Sequence, residues 1–228
     1  MSELVINCAN VKKSFTVKGK RRVILNGVSF AVGKGEVITV CGKSGVGKST
    51  LLSLIAGLDT PDDGSVVLFN TDISTMPESS LARMRKKNIG ILFQNHNLIR
   101  AWSAVENVEA ALAHRGLSSV EMRRRSSAVL HTLGLENLEH HLPNEMSAGE
   151  QQRIAFARAL VHNPRLILAD EPVADIDPQT GAILLELLLK RAKEHETAVI
   201  LATHGEPPAG FDDRVLCLEN GTIRDIQR

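Results

Sequence analysis

The fold is decided by Glu36-Val-Ile-Thr-Val-Cys41 and the residues directly after it, Gly42-Lys43-Ser44-Gly45-Val46-Gly47-Lys48-Ser49-Thr50. The first half is short, apolar and β-branched, the composition of a strand buried on both faces. The second half fits GxxxxGK[ST], a pattern in which glycines let successive backbone N–H groups curl around phosphate oxygens. Residues 49–56 then carry helical spacing and stop near Gly57. The loop therefore opens a helix whose positive N-terminal end faces the same phosphates. In that setting Lys48 brings charge to the outer phosphates of a nucleotide, and the Ser49 hydroxyl is a Mg²⁺ ligand. Strand, loop and helix together predict an α/β fold with a nucleotide site at residues 42–50.

Outward from this loop, a second acidic element has matching geometry. Leu166-Ile-Leu-Ala-Asp170-Glu171 reads as a buried strand that delivers Asp170 to its C-terminal end, where ligands of parallel sheets bind. Asp170 would hold the Mg²⁺ water shell, and Glu171 would polarise an attacking water as general base. Further strands are expected at 66–69, 89–93 and 198–202, with a closing hairpin turned at Asn220-Gly221. Between 95 and 163 the pattern is helical: 103–113, then Ser118 to Gly134 with Glu121 placed for a capping box, then 148–161. The chain thus divides into a core at 1–94 and 164–228 and an inserted helical segment at 95–163. Met146-Ser147-Ala148-Gly149-Glu150-Gln151-Gln152-Arg153 opens the last of these helices, and by itself Ser147 reads as a plain N-cap.

Composition bounds the rest. With 228 residues, 27 Lys+Arg against 26 Asp+Glu and 43 % hydrophobic residues, this is an ordinary globular composition with a net charge of +1. No overall positive field draws it to nucleic acid or acidic lipid. The longest apolar stretches fall far short of the ~20 residues a spanning helix needs. No signal peptide is visible at the N-terminus, and three cysteines without a CxxC predict a reduced, cytoplasmic chain. Cys41 reads as a small buried strand residue, and Arg123-Arg-Arg125 as a solvated helix face or a contact for acidic lipid or a partner.

In order along the chain stand the phosphate loop, Gln94 at a strand end, Ser147-Ala-Gly149-Glu150, Asp170-Glu171, Ala174-Asp-Ile-Asp177, and His204 after a strand. This set resembles the nucleotide-binding subunits of ATP-binding cassette (ABC) transporters over essentially the whole length. The resemblance implies a P-loop NTPase fold: a RecA-like α/β core with an antiparallel β subdomain and an inserted α-helical subdomain. It implies ATP and Mg²⁺ as ligands, and a head-to-tail homodimer with two ATP at the interface. The phosphate loop of one copy would face Ser147, Gly149 and Glu150 of the other, and Asp177 would link the two sites. Gln94 would sense Mg²⁺ and the lytic water, and His204 would contact the γ-phosphate. Integral membrane permease subunits are the implied partners, which places the chain peripherally on the inner face of the cell membrane. No nucleic-acid partner is expected.

The same resemblance marks an aromatic some 25 residues before the phosphate loop as the adenine platform. With no tyrosine in the chain, Phe15 is the candidate, whereas Phe30 alternates with Val28 and Val32 and reads as core. Trp102 falls where the family docks its membrane partner, and reads equally as interface or as helical core. Met146 and Ala148 depart from the usual Leu-Ser-Gly-Gly, Val173 replaces Thr or Ser, and Asp175-Ile176 replaces Asn-Leu. If position 148 needs positive φ, its Cβ costs about 1 kcal/mol and slows turnover. Within the family, residues 56–59, 89–98 and 150–153 resemble the lipoprotein-releasing and macrolide-exporter group. Two rival readings are an FtsE-type signalling scaffold with little turnover and a soluble DNA-maintenance ATPase. The latter needs coiled-coil or zinc insertions for which 228 residues leave no room.

Overall fold

The computed structural model describes residues 3–174 and 176–227, so Met1, Ser2, Asp175 and Arg228, and the readings that involve them, lie outside the described residues. Two sheets carry the architecture. β1 (Leu4–Val17) and β2 (Lys20–Gly33) pair antiparallel around Lys18-Gly19, both at positive φ as a two-residue hairpin turn requires. β4 (Asp63–Leu68) and β5 (Thr71–Asp72) extend this sheet in the order β2-β1-β4-β5. The strand expected at 66–69 begins earlier and ends at Leu68, because Phe69 and Asn70 adopt φ of 50° and 63° and form the turn.

The second sheet has six strands in the order β10-β9-β3-β8-β7-β6. β3 (Val37–Cys41), β6 (Ile89–Leu92), β7 (Leu166–Asp170), β8 (Ala198–Thr203) and β9 (Arg214–Glu219) run parallel. β10 (Thr222–Gln227) closes one edge through the expected Asn220-Gly221 hairpin. Each face of this sheet builds its own core. On one face Ile38, Val40, Leu168, Ile200 and Leu216 meet Leu51 and Ile55 of α1 (Lys48–Ile55) and the inner side of the antiparallel sheet, Phe30 included. On the other, Ile167, Ala169, Val199 and Leu201 meet Phe156 of α5 (Ala148–Leu160) and Leu184 and Leu188 of α6 (Pro178–His195).

The segment 95–163 contains only helical elements among its described structure, starting with α3 (Ala104–Glu109) and α4 (Ser119–Thr132). Its last helix, α5, is shared with the sheet. A Cβ on Gly90 of β6 would lie 2.3 Å from the Ala159 carbonyl, so only glycine lets the helix seat this closely. Three further details differ from the sequence reading. The helix expected at 103–113 splits, with a 3₁₀ turn at Ala110–Leu112. The Ser118 box is half made: Ser118 caps the Glu121 N–H, but the Glu121 carboxylate pairs with Arg124 and Arg125 instead. Helix α2 (Glu78–Asn88) had no apolar stripe to announce it, since Leu81 is its one buried residue.

Candidate active site

The C-terminal ends of β3, β7 and β8 converge at one edge of the parallel sheet. They bring the Gly42 loop, Asp170-Glu171 and His204 together, as expected of such a sheet. A cleft of about 400 Å³ joins Phe15, Ser44, Gly45 and Gly47 through Thr50, Gln94, Glu171 and His204. A Cβ on Gly45 would meet nothing within 4 Å, so its backbone is open to a ligand. Gly47 sits at φ 118°, where a Cβ would strike Ile24 at 2.7 Å. From there α1 starts without any acidic residue in its first turn, so the positive helix end is not neutralised by the chain. Gly42, Lys43 and Val46 shape the loop rather than line the cleft: Val46 packs on the core, and the other two supply carbonyls to Lys48.

Lys48 is only 5 % exposed, and its ammonium donates to the carbonyls of Gly42 (2.8 Å) and Lys43 (3.3 Å). The same Nζ is 3.8 Å from Oε1 of Glu171, whose Oε2 is 3.0 Å from Nδ1 of His204. Glu171 adopts φ 48°, and its N–H donates to Ala202, which turns the chain sharply off β7. Next to it, burial pushes the Asp170 carboxyl up from its ordinary range, opposed by a hydrogen bond from the Ser49 side chain, with the Glu171 charge also raising it. A half-buried carboxylate on a hydroxyl is a hard, oxygen-rich place suited to a small divalent cation.

Phe15 is 41 % exposed on β1 with the Lys13 ammonium 5.2 Å from its ring centroid, whereas Phe30 is buried. Trp102, at 42 % exposure, is no part of the helical core. Cys41 corrects the expectation of burial: it is only half-buried, and its thiol faces the carbonyl of Gly205.

Asp170 lies beside the cleft rather than in its lining, and the four candidates Ser147, Gly149, Glu150 and Asp177 stand away from it at the starts of two helices. Ser147 caps α5 in a complete box: its N–H and hydroxyl both donate to Glu150 Oε2 at 2.8 Å, and the Glu150 N–H returns to its hydroxyl. Gly149 follows within the helix. Asp177 caps α6 through the Thr180 N–H at 2.9 Å, which holds its carboxyl below the ordinary range. Met146 is buried among the helices, so it fills the apolar place of the usual Leu. Ala148 occupies the first helical position at negative φ, and Gly149 is not at positive φ either. The backbone penalty considered for Ala148 therefore does not arise.

Sequence reasoning missed several residues. Arg22 and Ile24 of β2 line the cleft, though nothing marked that strand as part of the site. Arg158 of α5 donates to the carbonyls of His96 and Asn97 at 2.6 Å each and so pins the segment after Gln94. Gln152, buried, donates to the Pro172 carbonyl and ties the Ser147 helix to the chain just past Glu171. Gln152 lay inside the quoted 146–153 stretch without a role of its own, and Arg158 lay beyond it in the same helix.

The chain belongs to the ABC transporter ATP-binding family, whose model matches residues 25–174. It is accordingly an ATP-binding cassette ATPase of the transporter type, with the P-loop NTPase fold. It is 41 % identical to lipoprotein-releasing system ATP-binding protein LolD 2 of Chlorobium chlorochromatii (strain CaD3) across 98 % of this chain and 95 % of that one. It is also 41 % identical to the ABC transporter ATP-binding protein YbbA of Escherichia coli (strain K12), across 98 % of each. Among solved structures, the dimeric cassette MJ0796 bound to ADP and Pi superposes with a TM-score of 0.93 at 36 % identity, covering 97 % of this chain and 98 % of that one. CbiO1 of Clostridium perfringens, part of the transporter complex cbiONQ, follows at 0.83 and 26 %, covering 98 % and 88 %. No helix among the described residues is long and apolar enough to cross a membrane.

Proposed function

We propose that two copies of this chain hydrolyse Mg²⁺-ATP head to tail, and that the closure drives membrane subunits encoded separately. The position of Glu171 carries the reading: one carboxylate oxygen faces Lys48 and the other His204, at the wall of the cleft. Adenine stacks on the exposed Phe15 ring, and residues 42–50 receive the phosphates. Lys48 then exchanges loop carbonyls for phosphate oxygens, which frees Glu171 to orient a water and take its proton. His204 keeps that carboxylate aligned and contacts the γ-phosphate. Ser49, Asp170 and Gln94 would hold Mg²⁺, which when bound supplies positive charge to the phosphate oxygens.

Ser147, Gly149, Glu150 and Asp177 stand away from the cleft at the starts of two helices. A second copy in head-to-tail contact puts them against its partner's nucleotide, in keeping with the dimeric MJ0796 cassette. Residues 1–94 and 164–228 act as the nucleotide core and 95–163 as the arm that carries Ser147. A groove of about 270 Å³ beside the Gln94 segment, with Leu58, Ile91 and Phe93 on its apolar wall, suits a short helix of a permease subunit. On this reading the chain sits peripherally on the inner face of the membrane. The likeness to LolD 2 favours work on a lipoprotein-type cargo at the membrane surface.

The test is steady-state Mg²⁺-ATPase activity and light scattering of the chain and of Glu171→Gln. The substitution is expected to cut turnover ~100-fold or more while ATP still binds and a dimer accumulates. Equal turnover in both proteins overturns the assignment of Glu171, and a monomer at saturating ATP overturns the dimer.

A further inference from the structure

Two of the three cysteines stand side by side at the root of the phosphate loop. Cys41 ends β3 and is in direct register with Cys217 of the neighbouring parallel strand β9. Ile38, Val40, Leu216 and Leu218 are buried in one core cluster, so by strand alternation Cys41 and Cys217 both project from the opposite face. Both are half-buried and reduced, whereas Cys8 is buried and its thiol is pushed up to about 12. In-register neighbours lie ~4.8 Å apart, inside the ~4.4–6.8 Å Cα range that a disulfide spans. We propose that Cys41 and Cys217 form a reversible disulfide that acts as a redox brake on the nucleotide site.

The geometry gives the bond its effect. A Cβ on Gly42 would lie 2.6 Å from the carbonyl oxygen of Leu218, so the first residue of the phosphate loop rests on β9 without slack. Cys41 precedes Gly42 and Cys217 precedes Leu218, and the Gly42 carbonyl accepts from Lys48. A disulfide usually holds its Cα atoms ~5.5–6 Å apart, wider than the ~4.8 Å of paired strands, so closure pushes these strand ends apart and shifts Gly42 off the Leu218 carbonyl it rests on. It also takes the Cys41 thiol off the Gly205 carbonyl, next to His204. A bond closed against the sheet's own spacing is easily reduced, as regulatory disulfides are.

The chemistry balances with a small-molecule disulfide as oxidant. The Cys217 thiolate attacks one sulfur of that disulfide and expels a thiolate, leaving a mixed disulfide. Cys41 then loses its proton and attacks Cys217 Sγ, expelling the second small thiol. Two protein thiols are oxidised and one small disulfide is reduced to two thiols. Burial and the neighbouring Cys217 push the Cys41 thiol up, in keeping with its role as the second, resolving thiol.

The test incubates the full chain with glutathione disulfide and follows intact mass, non-reducing peptide maps and ATPase rate. The expected result is loss of two hydrogens, a Cys41–Cys217 linked peptide and at least a fivefold fall in rate, all reversed by dithiothreitol. Cys217→Ser is expected to keep the starting rate and to show neither change. A glutathione adduct without the internal link, or a link that leaves the rate unchanged, overturns the proposal. So does an equal loss of activity in Cys217→Ser.

Discussion

Asp170, the Mg²⁺ ligand proposed above, shows how a buried carboxyl costs stability. Its carboxyl is pushed up by burial, so between the unfolded and the higher folded pKa the native chain holds more protons than the unfolded one. Native stability therefore falls as pH rises through that window, and at neutral pH the charged carboxylate opposes folding until a cation arrives. Asp170→Asn keeps the shape and an acceptor for Ser49 but removes the charge. It is expected to raise the melting temperature of the nucleotide-free protein by roughly 3 °C, about 1 kcal/mol for a chain of this size. It should also abolish Mg²⁺-dependent ATPase activity; calorimetry and a rate assay on the same variant check both. Ala148 belongs at this scale too. Its departure from the family pattern looked like backbone strain in the sequence, yet the residue sits in ordinary helical geometry.

At the scale of elements, motifs placed the strands and helices that flank the nucleotide site, while side-chain anchoring inside the helical segment stayed hidden. Asn107 is fully buried on α3. It accepts from the Ile99 N–H at 2.7 Å and donates to the carbonyls of Ile99, Trp102 and Ser103, so one amide folds the loop that presents Trp102. Asn107→Leu leaves those backbone groups without partners and is expected to cost about 2–4 kcal/mol. Urea unfolding measures the loss, and fluorescence of Trp102, the single tryptophan, reports the loop. A lone Asn among Glu-Asn-Val-Glu carries no pattern, and only its burial reveals the role. Helix α2 escaped for the opposite reason, since a helix held by one buried leucine and a half-buried Met84 leaves no clear periodic trace.

For the whole molecule, the consequence to test is acid sensitivity. His162, between α5 and β7, lies with its Nε2 3.2 Å from the Ile89 carbonyl, and burial together with the Arg115 charge pulls its pKa down to about 4. Because the folded value is depressed, the unfolded chain binds the extra proton first as pH falls. Stability from the neutral ring is full above the unfolded value of 6.5 and declines toward about 4. The total is ~3 kcal/mol at about 1.4 kcal/mol per pKa unit. His162→Gln is expected to flatten the pH dependence of the unfolding free energy across that window, as read by denaturant titrations between pH 7 and 4.

What the sequence determined by itself was local. A strand, a glycine loop and Lys48-Ser49 have to adjoin, because phosphate binding is built from consecutive backbone groups. Asp170-Glu171 and Asn220-Gly221 were legible for the same reason. Tertiary structure alone decided that Lys48, Glu171 and His204 meet, and that Arg22 enters the same cleft. It also set Cys41 beside Cys217, since strand order and register depend on how two cores pack on one sheet rather than on any short stretch of chain.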